Sequence, residues 1–361
     1  MQRREFLQQT CSICAGLALS KTAPLLAETA MSGGWRTFEV TTRVEVLKPS
    51  GATHIWLPAA LIRETPFQKT LANKFSAEGG TAQLRESNQD LLGIVSATYA
   101  EHAKPILTLT SRVSLKNYAV DLAAPHSAHV SRAELEYFLR PSPYVPIDGI
   151  VKQTAEKATK GATTDSEKAR AIYDWIVENT FRDPKVRGCG RGDIRFMLES
   201  GDLGGKCADL NALYVGLARA AGLPARDVYG LRIARSELGY KSLGVAADKV
   251  SKAQHCRAEV YLHQYGWVPV DPADVRKVVL EEPPGNLKLD DEMVSKTRTR
   301  LFGSWEMNWM AYNCAHDVAL PGASGPPLVY FMYPQAETAE GRIDPLDPDN
   351  FKYEITVKET T

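Results

Sequence analysis

The segment that most constrains this chain begins at Gly204-Gly205-Lys206-Cys207. After it, Leu210, Leu213, Tyr214, Leu217, Ala218 and Ala221 recur at three- and four-residue steps, the apolar stripe of a helix packed on a core. Gly222, suited to a left-handed cap, and Pro224 end that helix, and the two glycines permit a bend before it. Cys207 therefore falls in the first turn, where unpaired N–H groups carry partial positive charge, and Asp209 shares that turn. A thiol so placed matters chemically, because the thiolate is the nucleophile and positive surroundings favour it.

A second pattern supplies partners. From His255 to Leu262, Ala258, Val260 and Leu262 alternate with Arg257, Glu259 and Tyr261, the period of a half-buried strand. A turn at His263-Gln264-Tyr265-Gly266 leads into Trp267-Val268-Pro269-Val270-Asp271. Paired as an antiparallel hairpin, the two runs bring His255 beside Asp271. Taken singly, each residue is ordinary: a buried cysteine is usually a small hydrophobe. Together they make a nucleophile, a base and an orienting carboxylate, the set that acyl transfer requires.

Four motifs occur in order over roughly residues 165–275: Gly-Lys-Cys-Ala-Asp-Leu-Asn-Ala-Leu, Ala-Gly-Leu-Pro-Ala-Arg, His-Cys-Arg-Ala-Glu-Val and Gly-Trp-Val-Pro-Val-Asp-Pro. Jointly they resemble the bacterial transglutaminase-like (papain-related) superfamily. The resemblance implies Cys207 as nucleophile, His255 as base and Asp271 as orienter, a thioester acyl-enzyme, and no cofactor or metal. It implies a cysteine hydrolase or peptidase acting on protein, peptide or cell-wall peptide substrates. The alternatives are a crosslinking acyltransferase joining glutamine to lysine, and a binding or scaffold domain with an idle triad. One position departs from the family pattern: Arg257 stands where an aromatic residue is usual, which bears on substrate preference.

Arg3-Arg4-Glu5-Phe6-Leu7, the short apolar run Cys11 to Leu19 and small residues near Ala27 and Ala30 resemble a twin-arginine export signal over residues 1–30. The run is too short to span a bilayer. The expectation is a periplasmic or secreted protein without stable membrane insertion. Lys plus Arg (43) equals Asp plus Glu (43), so no net field points to nucleic acid. Beyond the signal, Cys189, Cys207, Cys256 and Cys314 remain, and a catalytic Cys207 leaves room for at most one disulfide. Alternation places Cys256 on the strand face opposite His255. No cysteine or histidine spacing fits a zinc site.

Along the chain, Phe38, Val40, Val44 and Val46 alternate with polar residues, and Ile55-Trp56-Leu57-Pro58, residues 93–99 and residues 106–115 read as further strands. The fold class expected is α+β: an antiparallel β-sandwich-like domain over 35–140, then a transglutaminase-like or papain-like catalytic domain over 145–361 with a C-terminal extension. Pro141 to Pro146 forms the connector, and Thr164 with Glu167 makes a capping box before a helix. The glycine-rich run 188–193 lacks the Lys-Ser/Thr ending of a phosphate loop and reads as one wall of a cleft. Residues 326–333 and 351–357 read as strands, and Trp305 and Trp309 as core.

Overall fold

The computed structural model describes residues 33–125 and 130–360; the export signal read at residues 1–30 lies outside them. Alternation of buried Phe38, Val40, Val44 and Val46 sets the inner face of β1 (Arg36–Val46). It is followed by β2 (Thr53–Pro58), β3 (Gln68–Glu78), β4 (Thr81–Ser87), β5 (Leu92–Tyr99), β6 (Ile106–Leu115) and the short β7 (Tyr118–Ala119). One antiparallel sheet contains β1, β6 and β3, and a second contains β2, β5 and β4. Val44, Ile55, Leu57, Val95 and Leu107, drawn from both sheets, share one apolar core, as in a sandwich.

A short α1 (Arg132–Tyr137) precedes α2 (Gly149–Ala158) and α3 (Asp165–Asn179). The capping box before α3 is formed: Glu167 N donates to Thr164 Oγ1 at 3.2 Å, and Thr164 N donates to Glu167 Oε2 at 2.9 Å. Next come β8 (Phe181–Arg182), α4 (Ile194–Ser200), β9 (Gly204–Gly205) and α5 (Cys207–Ala220). Every residue of α5 from Cys207 to Arg219 is buried, which is more than the single stripe read from sequence. The reason is position: α2, α3 and α4 pack on this helix while β-strands cover its other side.

Those strands are β10 (Ala225–Arg232), β11 (Gln254–Leu262) and β12 (Gly266–Val270), followed by α6 (Pro272–Glu281), α7 (Glu292–Arg300), β13 (Ser304–Trp305) and β14 (Trp309–Asn313). Their sheet runs β12-β11-β10-β14. The hairpin forms with Ala258 opposite Val270 and Val260 opposite Val268. Both β10 and β11 are buried along their whole length, so neither keeps a solvent face. Trp305 and Trp309 are core residues, and Trp309 Nε1 donates to the His255 carbonyl at 2.8 Å.

The chain ends in β15 (His316–Val318), β16 (Leu328–Tyr330), β17 (Gln335–Thr338), β18 (Gly341–Ile343) and β19 (Phe351–Thr360). Residues read from sequence as a C-terminal extension return to the sandwich: β17 pairs with β2, and β19 pairs with β1 from Thr37 opposite Thr360 to Val46 opposite Phe351. The first and last strands of the described chain are therefore neighbours.

Gly230 lies opposite His255 in the β10–β11 register. A Cβ there would sit 2.3 Å from the Met310 carbonyl and 2.5 Å from the Trp309 indole. Gly230→Ala is expected to lower stability by about 1–3 kcal/mol through overpacking, read as a fall in the urea unfolding midpoint.

Candidate active site

Asp209 fixes where Cys207 sits. Its Oδ2 accepts the Lys206 N–H at 2.9 Å, and its Oδ1 accepts the N–H groups of Arg191 and Gly192 at 2.8 and 2.9 Å. The carboxylate thus joins the glycine-rich loop to the start of α5. Gly190 is at φ +99°, and a Cβ there would meet Asp209 Oδ2 at 1.8 Å, so the loop passes only as glycine. The Ala208 N–H donates to the Cys189 carbonyl at 2.9 Å, which brings the Cys189 backbone alongside the head of α5.

His255 and Asp271 meet because the hairpin ends there. Asp271 is the N-cap of α6 and is wholly buried. Its Oδ2 lies 2.7 Å from His255 Nε2, while its Oδ1 accepts the Asp274 N–H at 3.1 Å and Asn211 Nδ2 at 3.2 Å. Asn211, one turn along α5 from Cys207, also donates to the Cys256 carbonyl at 2.9 Å. With Nε2 turned to the carboxylate, the other ring nitrogen, Nδ1, is left free of it, and His255 lines the same cleft as Cys207.

A second carboxylate stands close by. Asp274 Oδ2 is 3.4 Å from His255 Nε2, and Arg232 Nη2 holds both Asp274 oxygens at 2.6 Å. Ligand-type atoms of His255, Asp271 and Asp274 lie within 4.8 Å of one another. Arg232 and Arg257, the latter 3.8 Å from Asp271, stand against that negative charge, and the five side chains form one buried ion network.

Hydrogen bonding by the Cys189 thiol, then by Cys256, with His255 adding its bond and its charge, outweighs burial and holds the Cys207 thiol well below the usual range. Burial and Arg232 push the His255 imidazole down, but the carboxylates of Asp274 and Asp271 prevail and leave it raised. Burial raises Asp271, with Asp274 adding to it against His255. The remaining thiols move the other way: Cys189 is raised through Cys207, Cys256 through burial, and Cys314 to about 12 through burial. All four thiols are free and buried. Alternation alone did not anticipate that Cys256, next to His255 on β11, would still reach Cys207.

Cys207 and His255 open on a cleft of about 670 Å³, walled by Gly188 and Cys189 of the loop, Tyr333, and Phe351 to Tyr353 of β19. Arg182, Arg187, Arg232 and Lys277 also line it, each beside an acidic partner. Lys206 and Lys252 line it with no ion pair among the described residues, and Lys352 stands opposite Glu45 across β1 and β19, with Glu354 also near. Gln254 lines the cleft, whereas Arg195 turns to Asp148 at 3.1 Å outside it. Arg257 lies behind the site, 4.7 Å above the Trp309 ring, and donates to the Glu306 carbonyl at 3.0 Å. Sequence reading missed Cys189, Asn211, Arg232 and Asp274 as neighbours. Of these, Asn211 and Asp274 were accessible from helical spacing to Cys207 and Asp271.

A buried thiol at a helix start, set against a strand hairpin that carries a histidine–aspartate pair, defines a cysteine-centred α+β architecture. The chain belongs to the transglutaminase-like superfamily, whose sequence profile matches residues 152–272. It is 34% identical over 340 residues to an uncharacterized protein of Haemophilus influenzae, covering 89% of this chain and 91% of that one. Its fold is similar to a crystal structure from Cytophaga hutchinsonii of a candidate cysteine protease, with a TM-score of 0.50, 17% identity, and coverage of 90% of this chain and 99% of that one. Among the described residues no helix is long and apolar enough to cross a membrane.

The lowered thiol gives a direct expectation. Iodoacetamide is expected to alkylate Cys207 rapidly at about pH 6, where an ordinary thiol is protonated, and the rate should fall in His255→Ala as the thiol moves back up. Peptide mapping of the alkylated protein against pH measures it.

Proposed function

We propose that the chain is an exported cysteine hydrolase or peptidase that cleaves amide bonds through Cys207, His255 and Asp271. The observation that carries this reading is the His255 imidazole, hydrogen-bonded to the buried Asp271 carboxylate at 2.7 Å and lining the same cleft as Cys207. Membership of a superfamily that includes cysteine hydrolases and acyltransferases supports the same class.

In this mechanism the Cys207 sulfur attacks the amide carbonyl carbon and a C–S bond forms. The His255 imidazolium gives its proton to the departing amine as the C–N bond breaks, leaving a thioester. Water then adds to that carbonyl, its proton passing to His255, and the C–S bond breaks to release a carboxylic acid. Asp271 holds the ring with Nε2 inward and stabilises the imidazolium throughout. The Cys207 N–H, at the unpaired start of α5, is the candidate donor for the oxyanion. A lysine amine in place of water would give an isopeptide crosslink, the acyltransferase alternative.

Incubation of the full chain with a defined peptide mixture, followed by mass spectrometry of new termini, tests the reading. Cys207→Ala is expected to abolish cleavage, and His255→Ala to lower kcat/KM by about a thousandfold or more. Cleavage that survives in Cys207→Ala overturns the assignment. Activity should fall on the alkaline side as His255 loses its proton, above the ordinary imidazole range because its pKa is raised. Asp271→Asn removes a carboxylate that raises that pKa, so the alkaline limb of the pH–rate profile should move down.

Export is part of the proposal and rests on Arg3-Arg4-Glu5-Phe6-Leu7. Replacing Arg3 and Arg4 together by lysine is expected to retain the protein in the cytoplasm. Fractionation followed by immunoblotting reads the outcome, and unchanged periplasmic accumulation refutes it.

A further inference from the structure

We propose that the cleft beside Cys207 binds a peptide segment carrying several carboxylates, so that the acyl donor is an acidic peptide. The proposal rests on the thiol site described above and adds the charge of its substrate.

The chain as a whole has equal numbers of acidic and basic residues, so composition does not explain a cleft of one sign. Among the described residues, the lining contains seven Arg or Lys side chains and neither Asp nor Glu. Four of the seven have partners behind the walls: Arg232 holds Asp274, Arg187 holds Asp344, and Arg182 and Lys277 share Glu281. One acid between two cations leaves that pair net positive. Lys206 and Lys252 add charge with no ion pair among the described residues, and Lys352 adds a cation that Glu45 and Glu354 partly offset; the three come from separate elements, the start of α5, the segment before β11, and β19. The positive lining therefore converges on the cleft from several walls and is not one solvated face.

Two observations separate this charge from the nucleophile's own needs. The largest causes that hold the Cys207 thiol down are Cys189, Cys256 and His255. The cations also strain one another: burial lowers Lys277, and the charges of Arg232 and Arg182 lower it further despite Asp274 and Glu281. A bound anion relieves that repulsion, and low-dielectric walls focus the field on it. The volume, about 670 Å³, is that of a site for a short chain segment, and Val245, Leu346, Tyr333 and Tyr353 give it apolar surface between the charges. The same field repels a lysine ammonium, so it favours water over a lysine in resolving the thioester.

The test compares alkylation of Cys207 by iodoacetate, an anion, with that by neutral iodoacetamide in the full chain. The iodoacetate-to-iodoacetamide rate ratio is expected to exceed that of a free cysteine peptide by about tenfold at low salt and to shrink as salt screens the cleft. Because an imidazolium also attracts iodoacetate, the deciding variant leaves His255 in place: Lys252→Glu with Lys352→Glu should collapse the ratio, whereas Lys160→Glu, a distant exposed lysine, should not. Calorimetric titration with hexaglutamate and with hexalysine gives an arm independent of the thiol, and only hexaglutamate is expected to bind, less tightly to the double variant. A fast iodoacetamide reaction with a ratio that ignores Lys252 and Lys352, or hexalysine binding as well as hexaglutamate, overturns the acidic-peptide proposal and leaves the thiol site standing. Iodoacetamide reacting no faster than with the free peptide overturns the thiol site itself, and hexaglutamate binding then decides the charge proposal alone.

Discussion

The Asp271 carboxylate is shared by a helix, a strand hairpin and an imidazole, and the arrangement around Cys207 depends on it. Burying a carboxylate costs several kcal/mol unless its oxygens are bonded. Here one oxygen takes the Asp274 N–H of α6 and the Asn211 amide of α5, and the other faces His255 with Arg257 nearby. Each of those bonds also fixes a piece of the fold. The start of α6, the middle of α5 and the head of β11 are placed relative to one another by a single side chain. Stability and site geometry are here the same set of hydrogen bonds.

Asp209 performs a comparable task for the thiol. It satisfies the N–H of Lys206 and of two loop residues at once, and the loop it captures carries Cys189 to Cys207. Cys207 is thereby surrounded by thiols as well as by an imidazole. Its lowered pKa is a property of this packing, since hydrogen bonding by neighbouring thiols is a larger cause than the histidine. A bend of glycines and the first turn of a helix, ordinary features singly, become a chemical environment once the loop is tied down.

Much of this was legible in the sequence, for physical reasons. The α5 stripe, the Thr164–Glu167 capping box and the β11–β12 alternation are local signals with fixed periods. They put Cys207, His255 and Asp271 at the ends of recognisable elements. What escaped reading lacked such periods. β3 and β4 carry mostly polar, partly exposed residues, and their apolar alternation is cut short to Phe75 with Ala77 and Ala82 with Leu84. β10 is buried on both faces, so a two-residue period was never there to find. Arg232 sits on that unread strand, and Cys189 is held beside Cys207 by the Asp209 carboxylate and the Ala208 N–H, tertiary bonds that no local pattern announces. The cleft's charge escaped for the same reason: its lysines come from distant parts of the chain.

The pairing of β19 with β1 has a consequence in time as well as in space. Phe351, Lys352 and Tyr353 wall the cleft, yet they belong to the last strand of the described chain and are held by the first. Sequence separations that long make for slow closure, since the loop entropy is spent before the pairing returns it. During synthesis the nucleophile, its helix and its hairpin all leave the ribosome before that wall exists. A nascent chain therefore carries an unfinished cleft until β19 has been made, and any product stopped short of β19 keeps the thiol without that wall.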